Sequence, residues 1–289
     1  MAPRAPAVSV LIPTFNRLDY LPQTLASVYA QTSADFEVVL VDDGSTDGTR
    51  EWISRQGFPR LRYVRTKANR GPAPARNLAL EKARGAFIAF LDSDDLWAPD
   101  YLSAMLACFA SPRTLVACSD MCTIDAAGRV IRRDFYRLNP KVREPRFERL
   151  SGLRCCPNPS TAVLRRGVFS QVGAFDEGFR RIHDDKDLFY RIAHRFGPAA
   201  FTFLARNLGY HRRHAVQITD WIERGVGYLP SRKALAGWKD LEAHHREMVL
   251  DIVYFSSKQD CSHCDALLRR RRREKKGRRS RTPAPATSK

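Results

Sequence analysis

The chain has 289 residues, 44% of them hydrophobic and 28% charged, with a formal net charge of +18. That apolar content suits one large domain, or a domain with an appendage, and excludes a chain disordered throughout. The charge is lopsided: Arg269 to Lys289 holds eleven basic residues against Glu274 alone, so +10 of the +18 lies in the tail and +8 elsewhere.

Val8 to Pro13 is a short β-branched run that predicts a strand, followed by the Thr14-Phe15-Asn16-Arg17 loop. Leu21, Leu25 and Val28 recur at helical spacing within a segment from Leu18 to Gln31. Phe36 to Val41 predicts the second strand, and Ser45-Thr46-Asp47 supplies capping side chains for a helix through Trp52 and Ile53. A third strand spans Arg60 to Val64, a helix Gly71 to Gly85, and a buried strand Ala86 to Leu91, ending at Asp92. Strands alternating with helices predict a doubly wound α/β sheet, whose ligands sit outside the carboxyl ends of the strands. Asp43 and Asp92 both fall there.

Farther on, the pattern predicts a helix over Pro99 to Ala110, a strand over Leu115 to Asp120, and a polar, basic connection from Arg129 to Pro145. A small-residue stretch, Asn158 to Leu164, precedes Gly173-Ala174-Phe175-Asp176-Glu177, and helical periodicity resumes from Asp184 to Phe196. Trp221 to Leu268 is mainly helical in pattern. The polybasic run that follows, with Pro and Ser after it, reads as a disordered tail.

No apolar stretch approaches the roughly 20 residues needed to cross a bilayer, and no cleavable apolar leader precedes the first strand. The expectation is a cytosolic protein, with its basic tail suited to the anionic inner face of the cytoplasmic membrane. The seven cysteines, Cys108, Cys118, Cys122, Cys155, Cys156, Cys261 and Cys264, are odd in number and irregular in spacing, which predicts reduced thiols. Cys261 and Cys264 have no second pair at zinc-finger distance and read as a helix end. Nucleic acid is a poorer partner for the tail than lipid, because no aromatic residues interleave its basic charges to stack bases.

Acids crowded at a strand end repel one another unless a cation or hydrogen-bond donors offset them. If the segment stays extended, Asp92 and Asp94 point the same way and reach one ion, while Asp95 braces a loop. The plain alternative is a solvated turn capping the next helix. Asp42 and Asp43 are either an Asp-Gly turn or acceptors for a nucleotide base or ribose, with Thr14, Phe15 and Asn16 lining the same pocket. Arg76 either neutralises the acids and touches a phosphate by a forked hydrogen-bond pair, or is a surface arginine. Asp184 and Asp185 open a helix, where acids are stabilised in any case, yet Asp185 is the best-placed general base outside the strand ends. Tyr210-His211-Arg212-Arg213-His214 offers groups for a diphosphate or a metal, against the alternative of an exposed polar loop.

Four ordered motifs carry a family resemblance: Val8 to Arg17, Val41 to Thr49, Asn69-Arg70-Gly71 with Ala75-Arg76-Asn77, and Leu91-Asp92-Ser93-Asp94-Asp95. Together they resemble the family 2 glycosyltransferases, an inverting group of GT-A fold. The resemblance implies a Rossmann-like α/β sheet flanked by helices over residues 7–220 and says little about the rest, which the residue pattern gives as a helical extension over 221–268 and the tail over 269–289. It also implies that Asp43, with Asp42, binds the base of a nucleoside diphosphate sugar, near Pro13, Thr14, Asn16 and Ser93. Arg76 would sit by the diphosphate. Asp92 and Asp94, with Asp95 and His214, would hold Mg²⁺ or Mn²⁺.

By the same resemblance Asp185 is the base of a single displacement with inversion, the acceptor being a hydroxyl of a saccharide, lipid-linked or cell-surface glycan. His214, with Gln217 and Thr219, is similar to a late histidine segment near the diphosphate. Asp184 departs from the pattern, standing where Glu is usual. That departure keeps open a catalytically weak relative that binds nucleotide sugar without transferring it.

Overall fold

The computed structural model describes residues 4–33, 35–135, 157–177 and 184–214. Most of the basic connection, the 221–268 extension, the 269–289 tail, Gln217 and Thr219 lie outside the described residues. All described residues belong to one unit, Met1–Gln217.

Four strands, β1 (Val8–Thr14), β2 (Phe36–Asp42), β3 (Leu61–Arg65) and β4 (Phe87–Phe90), run parallel in the order β3-β2-β1-β4. Helices α1 (Leu21–Tyr29), α2 (Thr49–Ser54) and α3 (Pro72–Lys82) connect them. Every residue of β2 is buried, which is why its sequence reads as a continuous apolar run instead of an alternating one. Beyond β4 the sheet becomes mixed. β8 (Ala162–Arg165) is antiparallel to β4, β6 (Val116–Ile124) is antiparallel to β8, and β9 (Phe201–Arg212) is parallel to β6. β5 (Leu96–Trp97) closes the edge against β9, and β7 (Val130–Arg132) pairs with β6.

Side chains alternating across the sheet feed two cores. Val8, Val10 and Ile12 of β1 pack with Leu21, Leu25 and Val28 of α1 and with Tyr101, Leu102 and Met105 of α4 (Tyr101–Ala107). Leu11 faces the other way, toward Ala73, Ala75 and Ala79 of α3 and Leu188, Phe189 and Ile192 of α6 (Asp184–Phe196), the helix that follows the short α5 (Phe169–Val172). Each fully buried Leu, Val or Ile here contributes about 1.5–3 kcal/mol. The alanines of α3 let that helix lie close against the sheet, which brings its one buried cation, Arg76, within reach of the strand ends.

One alternative left open by the sequence is excluded. Tyr210–Arg212 is not an exposed loop but the end of a twelve-residue strand, β9, whose pairing shifts register twice near Ser119–Met121. Polar and charged residues interrupt its apolar pattern: Arg206 and Asn207 pair with Asp100 and Asp134, while His211 and Arg212 reach the acid cluster at Asp95. A Cβ on Gly209 would lie 2.7 Å from the Thr161 methyl, so the close crossing of β9 over the Pro159–Thr161 turn requires glycine.

Candidate active site

Because β1, β2 and β4 are parallel, their carboxyl ends share one edge, and the loops that leave it carry the polar motifs. Asn16 follows β1 with φ of 51°, a left-handed conformation that asparagine tolerates. Its Oδ1 accepts the Thr46 N–H at 2.8 Å, and its own N–H donates to Ser45 Oγ at 3.0 Å. Thr14 is buried, and its hydroxyl has no hydrogen-bond partner among the described residues. Pro13 is partly exposed beside it.

Asp42 is wholly buried and takes the Ser45 N–H at 2.7 Å and the Tyr63 hydroxyl at 2.5 Å. Asp43 is 3% exposed, and its carboxylate accepts from Thr66 Oγ1 at 2.9 Å and from the Arg70 and Gly71 N–H groups at 2.8 Å each. These acids therefore build the loops around the pocket, and Asp43 anchors the start of α3. Gly44 sits at φ +81° with a would-be Cβ 3.0 Å from the Ala68 backbone, which accounts for the Asp-Gly spelling of the turn.

The second acid cluster is a turn, which corrects the extended geometry expected for Asp92 and Asp94. The Asp95 N–H closes onto the Asp92 carbonyl at 3.0 Å, and the three carboxylates go to different partners. Asp92 accepts from Arg76 Nη2 at 2.7 Å. Asp94 Oδ2 lies 3.3 Å from Arg17 Nε and 3.0 Å from His214 Nε2. Asp95 turns inward, taking the Arg212 N–H at 2.9 Å and lying 3.3 Å from His211 Nδ1, an ion-pair contact too poorly aligned for a hydrogen bond. Burial pulls the His211 pKa down, but the Asp95 charge outweighs it and the imidazole is pushed up to about 9.

The turn is held from three sides. Thr24 Oγ1 of α1 lies 3.0 and 2.9 Å from the Ser93 and Asp95 carbonyl oxygens. Ser160 Oγ accepts the Asp92 N–H at 3.1 Å. Arg212, fully buried under the Tyr20 ring, donates to the Asp94 carbonyl at 2.8 Å, to Ala126 O at 2.9 Å and to Gln23 Oε1 at 2.9 Å. Motif spacing marks none of Arg17, Thr24, Ser160, His211 or Arg212 as tied to the acids. The first three lie 68 or more residues away in sequence from the acid-turn residues they hold, and the two on β9 lie more than 100 away.

Arg76 joins the two sides of the site. It is 6% exposed, so it is not a surface arginine, and its Nη1 donates to Asp184 Oδ2 at 2.6 Å while Nη2 holds Asp92. Phe175 lies under the guanidinium, 5.6 Å to the ring centroid, in a loop that Asn77 fixes through both amide atoms. Asp184 and Asp185 open α6, with Asp185 the more exposed of the two. Asp43, Asp92 and Asp184 are thus all tied to α3, the first through Arg70 and Gly71 and the others through Arg76.

Burial raises the Asp184 pKa to about 6 despite the opposing charge of Arg76. The folded protein therefore takes up a proton at this residue between about pH 4 and pH 6 that the unfolded chain, with an ordinary carboxyl, does not hold. The resulting stabilisation is present below about pH 4 and is lost as pH rises through about 6. Asp184→Asn is predicted to remove that slope, changing the difference in unfolding free energy between pH 4.5 and pH 7 by about 2 kcal/mol. Urea unfolding at pH 4.5 and pH 7 measures it, and parallel pH profiles for variant and wild type would refute it.

Among the described residues no cluster of three or more His, Cys, Asp and Glu is arranged as a metal cage. A cage is not required for Mg²⁺, which typically binds one or two carboxylates with the remainder from substrate phosphates and water. Two cis ligands of an octahedral ion at about 2.1 Å lie about 3 Å apart. Asp94 Oδ2 and His214 Nε2 are 3.0 Å apart, a spacing that also suits their hydrogen bond. The donor set of carboxylates and one imidazole fits Mg²⁺ through its oxygens and Mn²⁺ through both.

Residues 9–173 match the model of glycosyl transferase family 2. The chain belongs to that family. A Bacillus subtilis (strain 168) protein, provisionally named a teichuronic acid biosynthesis glycosyltransferase, is 45% identical over 103 residues, 35% of this chain and 41% of that protein. Staphylococcus aureus TarS, solved in complex with UDP, superposes with a TM-score of 0.57 at 23% identity, covering 85% of this chain and 70% of TarS. The Pyrobaculum calidifontis mannosyltransferase PcManGT, solved with GDP-Man and Mn²⁺, gives 0.56 at 21%, covering 94% of this chain and 81% of that one. At such identities these structures establish the GT-A fold alone. The family 2 chain described here spans 41%, 65% and 16% of the lengths of three curated relatives, under two thirds of each.

Proposed function

We propose that the chain transfers a sugar, with inversion, from a nucleoside diphosphate sugar, UDP-linked in our reading, to a hydroxyl of a saccharide, lipid-linked or cell-surface glycan acceptor. The observation that carries this reading is the Arg76 clamp, which holds a strand-end acid and the start of α6 within one guanidinium's reach, at 2.7 and 2.6 Å. Donor and acceptor chemistry must meet across a few ångströms, and a rigid cation between the two acids fixes that spacing. Membership of family 2, the UDP held by TarS and the GDP-Man held by PcManGT support a nucleotide-sugar donor.

In this scheme Asn16, Thr14 and the Asp43 loop border the base, with the orphaned Thr14 hydroxyl available to the nucleoside. Asp185 accepts the proton of the acceptor hydroxyl, whose oxygen attacks the anomeric carbon as the bond to the diphosphate breaks. Asp92, Asp94 and His214 would hold Mg²⁺ or Mn²⁺, while Asp95 braces the turn through Arg212. When bound, such an ion offsets the negative charge gathering on the departing diphosphate. Arg76 keeps its charge throughout and restrains Asp184 and Asp92, leaving Asp185 to face the acceptor. Among the described residues no helix is long and apolar enough to cross a membrane. The +10 tail suits an anionic lipid surface, which favours an acceptor presented there.

A panel of UDP- and GDP-sugars incubated with Mn²⁺, Mg²⁺ or chelator tests the reading. We expect a UDP-sugar to be hydrolysed slowly with metal, with chelator and Asp94→Asn each lowering the rate at least about a hundredfold. A panel on which metal makes no difference would overturn metal-dependent transfer.

A further inference from the structure

Resting on the proposed metal site, we propose that Arg17 makes divalent-cation binding contingent on the nucleotide diphosphate, opposing the ion when it arrives alone and binding the diphosphate when both are present. The guanidinium is held in place for this. The Asn16 carbonyl, in its left-handed loop, accepts from Arg17 Nη1 at 3.0 Å, and the Arg17 carbonyl accepts the Tyr20 and Leu21 N–H groups at 3.0 and 2.8 Å. That backbone leaves Nε 3.3 Å from Asp94 Oδ2, with the side chain 17% exposed.

Asp94 Oδ2 therefore has two basic neighbours of different chemistry. His214, 3.0 Å away and stacked at 4.6 Å on the Tyr20 ring, can exchange its hydrogen bond for a metal bond, because a neutral imidazole nitrogen carries a lone pair. A guanidinium has only donors and keeps its charge at any physiological pH. A dication placed on Asp94 would stand within a few ångströms of the Arg17 guanidinium, a like charge, where both side chains keep only 17% of their surface exposed. A diphosphate answers both, bridging the ion and offering oxygens to the guanidinium's fork. Arg17 also spans the gap between the Asn16 loop and Asp94, so it lies between the two parts of the site that one nucleotide would occupy.

The test is Mn²⁺ titration followed by electron paramagnetic resonance, with and without UDP, on wild type, Arg17→Gln, Arg17→Lys and Asp94→Asn. For wild type we expect UDP to tighten Mn²⁺ binding at least about tenfold, within the usual range of coupling between sites. Arg17→Gln should bind Mn²⁺ alone roughly tenfold more tightly than wild type and lose most of the coupling to UDP. Arg17→Lys, which keeps the charge, should stay near wild type. Arg17→Gln that binds Mn²⁺ alone no better than wild type overturns the proposal while leaving the metal site intact, as does Arg17→Lys behaving like Arg17→Gln. Unchanged Mn²⁺ binding in Asp94→Asn, or none by wild type in either arm, overturns the metal site and this coupling together.

Discussion

Asp185→Asn is expected to slow sugar transfer by about 10²- to 10⁴-fold, the usual contribution of a positioned general base, while UDP affinity stays within a few fold of wild type. The substitution is isosteric and removes only the capacity to accept a proton. Asp184 cannot take over, because it is 2% exposed and its Oδ2 is committed to Arg76 at 2.6 Å. The same bond sets where the first turn of α6 begins, so it fixes the neighbour that does face outward. Having Asp rather than Glu at position 184 is consistent with that tight contact. One more methylene would have to fit between a buried helix start and a buried guanidinium, an overpacking of about 1–3 kcal/mol. Initial rates with the donor identified by hydrolysis, alongside calorimetric UDP binding, decide the matter. Transfer by Asp185→Asn at the wild-type rate would remove Asp185 as the base.

Arg76→Ala should destabilise the protein by about 3–5 kcal/mol, because it leaves Asp184 buried without its cation and facing Asp92 across the space the guanidinium filled. The loss exceeds that of an exposed ion pair, since Arg76 and Asp184 keep only 7% and 3% of their side-chain surface. Arg76→Lys offers a single ammonium where two carboxylates are held by separate nitrogens, so it should recover part of the stability but leave transfer impaired. The double change Arg76→Met with Asp184→Leu removes both charges and should regain much of the stability while remaining inactive. That divergence separates the clamp's role in folding from its role in chemistry. Urea midpoints and donor hydrolysis on the four proteins measure it. A loss under about 1 kcal/mol in Arg76→Ala would show that the clamp does not hold α6 to the sheet.

Several elements are legible from local pattern. The apolar runs of β1, β2 and β4 and the Leu21, Leu25, Val28 face of α1 are strong periodic signals, and the structure places each within a few residues of the expected bounds. The rest of the sheet is harder. β9 carries Arg206, Asn207, Arg212 and two register shifts, and its partner β6 is some 85 residues upstream, so neither period nor neighbours mark it as a strand. β5 has two residues, too few for any periodicity. The extended reading of Asp92 and Asp94 fails for a related reason: the carbonyls of Ser93 and Asp95 are drawn to Thr24, 69 and 71 residues away, which bends the segment into a turn.

The order of the acidic motifs, their placement after apolar strands and the glycine that the Asp42–Asp43 turn needs are properties of short segments, so the amino-acid sequence alone determines them and with them the family. Which acid answers to which cation is a different matter. Asp94 meets Arg17 across 77 residues and His214 across 120, and Arg76 meets Asp184 across 108. Such pairings form only when the parallel strand ends, the close-lying α3 and the far edge at β9 are folded onto one rim. Electrostatics at a few ångströms then assign each carboxylate its partner, and no local pattern encodes that distance.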